Sequence, residues 1–330
     1  MMQAFAITGP TASGKTALGI ALARELGGEI ISCDSMQIYR EMTVGTAKAT
    51  AEERAEAPHH LIDFLSPNES YSADNYRADA LRAVEDITKR GKLPIFVGGT
   101  GLYLDTVARG CAEGVPPSDS CRRESILASA NGDAHALWER LYEVDPESAE
   151  KTHENNLKRV LRALEIYDAT GKPKSYFDAL TRESKSPVRI AMITLDFHDR
   201  ELLYRRIDGR VDAMLEAGLL EEARGLYERG YLREGTTAAQ AIGYKELLSY
   251  LEGRTTLEVA VDELKLASRR YAKRQLTWFR REDAYRLNLD TEEGVMRDMR
   301  DILDELLAVA RKIIESDFTL SFEEENNENK

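Results

Sequence analysis

The sequence predicts an α/β fold: a parallel sheet flanked by helices and interrupted by an all-helical insertion. Three observations predict it. The apolar run at residues 3–8 leads into Gly9-Pro-Thr-Ala-Ser-Gly14-Lys15-Thr16 and then into residues 17–26, apolar at helical spacing. Further apolar runs, 29–33, 93–97 and 188–195, are separated by helical segments, as in βαβ units. Between Pro116-Pro117 and Pro187 the pattern holds helices and no convincing strand. A strand, a glycine-rich turn carrying G-x-x-x-x-G-K-T and a helix make the parallel sheet P-loop NTPase-like.

In Gly9, Pro10, Thr11, Ala12, Ser13, Gly14, Lys15 and Thr16 the glycines let successive N–H groups turn toward one anion. The helix that follows adds its positive end, Lys15 a mobile charge, and Thr16 a hydroxyl suited to Mg²⁺. The loop specifies a polyphosphate and leaves kinase, hydrolase and transferase open. Gly27-Gly28 ends the helix, and the second strand runs into Asp34-Ser35-Met36-Gln37-Ile38-Tyr39. Ligands of parallel sheets bind at strand carboxyl ends, so Asp34 faces the phosphate crevice; an Asp cap is the plainer alternative. Residues 51–56 read as a short charged helix and 58–64 as a strand containing Asp63. Tyr76, Ala80, Val84 and Ile87 mark the buried side of a helix over 72–90. The strand at 93–97 ends in Gly98-Gly99-Thr100-Gly101-Leu102-Tyr103, which places Thr100 toward the same crevice.

The domain reading is therefore a catalytic core of 1–114 and 188–315, a helical insertion of 115–187, and an acidic disordered tail of 316–330. Helices are expected at 134–143, from Asp145-Pro146, over 155–165, 199–217, 219–227, from 238, and over 257–281. The last carries Trp278 and Phe279, both read as core. The formal net charge is −13, which by itself disfavours nucleic acid. Yet residues 269–281 hold Arg269, Arg270, Lys273, Arg274, Arg280 and Arg281 and no acid, and local charge decides phosphate contact. The three cysteines show no paired spacing and read as reduced thiols of a cytoplasmic protein. No apolar run reaches the roughly 18 residues of a membrane span, and no export signal is evident.

No strand supplies a clean Walker-B aspartate, Asp63 being the only weak candidate. The loop then suits a diphosphate leaving group better than a nucleoside triphosphate. Six runs carry a resemblance: Gly9–Thr16, Asp34–Tyr39, Gly98–Tyr103, Arg159-Val-Leu-Arg-Ala-Leu-Glu165, Gln240-Ala-Ile-Gly-Tyr-Lys245 and Lys273-Arg-Gln-Leu-Thr-Trp278. In this order they resemble the tRNA dimethylallyltransferase (isopentenyl-tRNA transferase) family. The resemblance implies transfer of a dimethylallyl group from dimethylallyl diphosphate to N6 of the adenosine just 3′ of the anticodon, by a chain acting as a monomer with Mg²⁺. It implies that Arg210 clamps the diphosphate, Asp34 takes the N6 proton, and Thr100 positions Asp34 or the bridging oxygen. It places Asp34, Ser35, Met36, Gln37 and Thr100 around the base. The remaining contacts to the tRNA anticodon stem-loop fall to Arg123, Lys158, Arg159, Arg162, Gln240, Gly243, Tyr244, Lys245 and Arg274. Three rivals remain: a small-molecule kinase, an isopentenyltransferase acting on free adenine nucleotides, and a binding protein switched by nucleotide.

Overall fold

The computed structural model describes residues 1–110, 112, 114–233 and 236–322. Along the chain run β1 (Met2–Thr8), α1 (Lys15–Leu26), β2 (Gly28–Cys33), α2 (Ala51–Glu56), β3 (His59–His60), α3 (Ala73–Lys89), β4 (Leu93–Gly98) and α4 (Gly101–Ala108). Then come α5 (Ser120–Ser129), α6 (Ala134–Val144), α7 (Pro146–Glu150), α8 (Leu157–Thr170) and α9 (Lys174–Glu183). The chain continues through β5 (Val188–Asp196), α10 (Arg200–Glu216), α11 (Leu219–Glu228), α12 (Tyr244–Leu251), α13 (Leu257–Phe279), β6 (Ala284–Asn288) and α14 (Met299–Glu315). Met1–Ala108 together with Val188 onward form one compact unit, and Arg109–Pro187 a second.

The first unit is built on a six-stranded parallel sheet in the order β3-β2-β4-β1-β5-β6. Successive side chains of a strand point to opposite faces, and the strands serve two cores accordingly. Phe5 and Ile7, Ile30, Ile95 and Val97, and Ile193 and Leu195 join residues of α1, α10 and α14 on one face. Ala4 and Ala6, Ile31 and Cys33, Phe96 and Met192 join α3 and α4 on the other. Tyr76, Ala80, Val84 and Ile87 are fully buried there, as their spacing predicts. A third cluster packs α11, α12, the start of α13 and residues 38–42 together.

In the second unit, α5, α6, α7 and α8 enclose a core of Ile126, Leu137, Leu141, Val160 and Leu164. Asp145 caps α7 by accepting the Ser148 N–H, and Gly171 ends α8 in the left-handed conformation, φ 68°.

Several expectations are corrected. The strand read at 58–64 stops after His60, because Leu61 and Asp63 take positive φ, 56° and 63°, which no ladder accommodates. The helix from 238 is a short 3₁₀ turn, Ala238–Gln240, and α12 starts only after Gly243, whose φ is 101°. The tail read as disordered from 316 is packed as far as Phe322. Phe318 and Phe322 are buried in the core, the Phe318 ring lies 4.9 Å from that of Phe5, and Gln3 donates to Asp317 at 2.6 Å. Two aromatic anchors offset the polar composition; residues 323–330 of that expectation lie outside the described residues. Trp278 is not core: it is 37% exposed, against 1% for Phe279, and its ring covers Gly101. Cys33 and Cys121 are free thiols, and Cys111 lies outside the described residues.

Candidate active site

A cavity of about 600 Å³ opens at the carboxyl ends of β1, β2 and β4, lined entirely by the first unit. Each of those strands hands it a loop. After β1 the phosphate loop needs its glycines: Gly9 sits at φ 137°, where a Cβ would strike the Leu195 carbonyl, and Gly14 at φ 83°. Thr11, Ala12, Gly14, Lys15 and Thr16 line the cavity, whereas Gly9, Pro10 and Ser13 stand behind it. The buried Ser13 hydroxyl has no hydrogen-bond partner. Lys15 Nζ donates to the Pro10 carbonyl at 2.6 Å. Burial, and then the positive charge of Arg210, pull its pKa down to about 7 against the opposing pull of Asp34.

Asp34 Oδ1 accepts the N–H groups of Met36 at 2.8 Å and Gln37 at 3.3 Å. Oδ1 thus closes a turn and caps no helix, since none begins here; Oδ2 makes no hydrogen bond among the described residues. Asp34, Ser35, Met36 and Gln37 all line the cavity. Arg210 faces it from α10; burial lowers its pKa, and the charge of Asp34 works the other way. Lys15 and Arg210 therefore share one cavity with a carboxylate. Thr100 adjoins the Asp34 loop without facing the crevice. It does not line the cavity; its hydroxyl accepts the Ser35 N–H at 3.1 Å and hydrogen-bonds Tyr271, so it braces the Asp34 loop from behind.

Gln37 is committed to the protein: Oε1 accepts from Ser32 at 3.1 Å, and Nε2 donates to the carbonyls of Thr46 and Ala47 at 3.1 and 3.3 Å. Its amide thereby fixes residues 45–49, which form part of the cavity wall. Among the other residues expected to meet RNA, Gln240, Gly243 and Arg274 line the cavity. Lys158, Arg159 and Lys245 are exposed. One is corrected. Tyr244 is fully buried and donates to Glu222 at 2.6 Å, so it cannot touch a ligand. Arg123 and Arg162 bind the buried carboxylate of Glu165 at 3.3 and 3.0 Å, and Arg162 also holds the Pro116 carbonyl. A buried acid needs such partners, and both arginines keep part of their side chains exposed, 32% and 25%. Asp63, the weak Walker-B candidate, is tied to Lys48 at 2.7 Å and does not line the cavity.

The structure adds residues that sequence reasoning missed. The Glu222 carboxylate accepts the N–H groups of Thr43, Val44 and Gly45 at 2.8, 2.9 and 3.0 Å, as well as the Tyr244 hydroxyl. Arg206 Nε donates to the Ala12 carbonyl at 3.1 Å. Gln275, 5% exposed, bonds both the phosphate loop and the turn after β4. Among the described residues no cluster of three or more His, Cys, Asp or Glu could hold a metal ion. The hydroxyl of Thr16 and one carboxylate are too few ligands for a resident ion; they suit Mg²⁺ that arrives on phosphate oxygens and keeps its waters.

The IPP transferase family profile matches residues 37–282. A tRNA dimethylallyltransferase of Shouchella clausii is 51% identical over 88% of this chain and 92% of its own. One of Geobacillus kaustophilus is 51% identical over 83% and 86%. The crystal structure of the full-length tRNA isopentenylpyrophosphate transferase of Bacillus halodurans is 43% identical, with a TM-score of 0.70 over 96% of this chain and 98% of that one. A eukaryotic dimethylallyltransferase captured acting on tRNA aligns with a TM-score of 0.80 at 32% identity, over 96% and 80%. The chain belongs to the IPP transferase family, among the tRNA dimethylallyltransferases.

Proposed function

We propose that this chain transfers a dimethylallyl group from dimethylallyl diphosphate to N6 of the adenosine immediately 3′ of the anticodon, releasing diphosphate. One observation carries the assignment of roles: Lys15 and Arg210 face Asp34 across a single cavity. The allylic C1–O bond breaks as N6 bonds to C1. The electron pair leaves with the diphosphate, and the N6 proton passes to Asp34. Because the allyl system spreads positive charge over its own carbons, the protein's task is to hold the departing negative charge and aim the nucleophile.

Lys15, Arg210 and the N–H groups of residues 12–16 take the first task. Thr16 would hold Mg²⁺ on the diphosphate, where the ion would supply further charge neutralisation. Asp34 takes the second, its free oxygen placed to accept the proton that N6 releases. Thr100 and Tyr271 hold the Asp34 loop in place, and Ser35, Met36, Gln240 and Gly243 form the wall that meets the base. To reach this space the adenosine must leave its stack in the anticodon loop. Arg274 at the cavity, and Lys158, Arg159 and Lys245 with their exposed charges, contact tRNA phosphates. The reading gives the chain a cytoplasmic setting and action as a monomer, since one chain carries every residue it needs. No helix among the described residues is long and apolar enough to cross a membrane. The kinase reading is not favoured, as its only Walker-B candidate is bound to Lys48.

The acceptor is tested by offering unmodified anticodon stem-loop and free AMP side by side with dimethylallyl diphosphate. The expected product is prenylated RNA with AMP untouched. Prenylation of AMP alone would move the chain's substrate to free nucleotides.

A further inference from the structure

On α13, Leu264, Ser268, Tyr271 and Gln275 follow one another at spacings of four, three and four, so one face of this helix lies along the cavity. Gln275 is the most buried polar member of that face. Its Oε1 accepts the Thr11 N–H at 2.8 Å, and its Nε2 donates to the Gly99 carbonyl at 3.0 Å. The reverse amide orientation would set NH₂ against N–H and oxygen against oxygen, so the partners fix its direction. Gly99 is a glycine because a Cβ there would overlap the Gln275 amide. The next residue is Thr100, whose N–H donates to the Cys33 carbonyl and whose hydroxyl accepts from Ser35, each at 3.1 Å. Cys33 and Ser35 flank Asp34. A continuous path of hydrogen bonds therefore runs from the phosphate loop through one amide to the Asp34 loop.

We propose that Gln275 is a positioning residue for prenyl transfer, setting the separation between the anion-holding loop and Asp34. This rests on the reading above, in which one loop holds the leaving diphosphate and Asp34 serves the nucleophile. The loop's own glycines and α1 still form the anion site without Gln275. Its loss therefore affects the alignment of the two reactants more than diphosphate binding.

The test compares Gln275→Glu and Gln275→Met with the wild type in single-turnover prenyl transfer from pH 8 to pH 5.5, with binding of inorganic diphosphate measured in parallel. At pH 8 both variants should lose about 100-fold in rate, the scale of an ångström-sized misplacement, while diphosphate affinity changes less than about threefold. In Gln275→Glu the ionised carboxylate can accept from Thr11 but sets an oxygen against the Gly99 carbonyl. Once protonated, the new carboxyl restores both bonds. Burial and Asp34 raise the pKa of such a carboxyl, while Lys15, Arg210 and Arg274 around the cavity lower it; Lys48, Glu53, His59 and Tyr271 are further titratable groups of the lining. Rates are taken as a ratio to the wild type at each pH, so that titration of the groups common to both proteins cancels. That ratio should climb at least about tenfold for Gln275→Glu as pH falls, and stay low and flat for Gln275→Met. A flat ratio in both variants, or rates within twofold of the wild type, overturns the proposal. If the Gln275→Glu variant lacks a cooperative melt, Gly99→Ala displaces the amide from the other side. A comparable rate loss there supports the bridge, and a wild-type rate removes it. Failure of the parent reading is separately visible, because the wild type itself would then transfer no prenyl group.

Discussion

The position of Lys15, half-buried and beside Arg210, makes diphosphate binding proton-linked. Without ligand its pKa is about 7, lowered by burial and by Arg210. A bound diphosphate adds to the counter-charge of Asp34 and returns the amine toward its ordinary value of 10.5. Above pH 7, binding must therefore take up a proton, the larger part of one per ligand at pH 8. Affinity should fall by about tenfold per pH unit from there until the bound-state pKa is reached. The assay is calorimetric titration of dimethylallyl diphosphate at pH 8 in two buffers with different ionisation heats, which counts the protons directly. Lys15→Met should bind more weakly and take up no proton, which separates the lysine from titration of the ligand. Between pH 7 and 10.5 the unfolded chain binds the proton that the folded one lacks. This lysine's contribution to stability in the unliganded protein accordingly rises with pH over that window. Tight binding at pH 8 with equal heats in both buffers would refute the reasoning.

Asp34→Asn should cut single-turnover transfer by at least about 100-fold, the usual share of a general base, while tRNA affinity in filter binding stays unchanged; undiminished turnover removes Asp34 from the chemistry. Arg90 holds the buried carboxylate of Glu29, which His60 also meets at 2.7 Å, and this pairing lowers the Glu29 pKa to about 2. Arg90→Met leaves that carboxylate short of its main partner and should lower the urea midpoint at pH 7. In the wild type the stability from this pairing is present above the ordinary 4.5 and lost as pH falls toward 2. The gap between variant and wild type should therefore close at pH 2, and a gap of the same size at both pH values would show the pair to be unimportant. Glu222→Ala frees three N–H groups of residues 43–45 and strands the Tyr244 hydroxyl. It should lower stability by about 2–3 kcal/mol and speed amide exchange at those residues, and unaltered exchange would count against the clamp.

The phosphate loop was legible because its meaning is local: strand, glycines, lysine and helix are consecutive, and no distant residue is needed to interpret them. The paired cores followed from two periodicities, and Tyr76 to Ile87 fell where helical spacing puts them. What escaped the sequence depends on partners far along the chain. Gln275 reads as one polar residue in a basic helix until α13 brings it to Thr11, 264 positions away. Glu222 looks like an ordinary surface acid until residues 43–45 turn their N–H groups onto it. Arg123 and Arg162 show a related limit, since a charge count does not reveal the buried Glu165 that pairs with them. Tyr244 sits in a run that resembles the family, and resemblance does not say which side chains of a run face a ligand. The edge strand β6 was missed because Tyr285 and Arg286 interrupt its apolar run.

The central claim is that the cradle formed by residues 9–16 grips a departing diphosphate and that the hydrocarbon goes to RNA. The most direct measurement incubates the protein with unmodified tRNA, dimethylallyl diphosphate labelled in its prenyl group, and a large excess of ATP labelled in its γ-phosphate. The account predicts that the prenyl label enters tRNA stoichiometrically with released diphosphate, and that the γ-phosphate label stays in ATP. Transfer of the γ-phosphate to an acceptor, with tRNA left free of prenyl label, would contradict it.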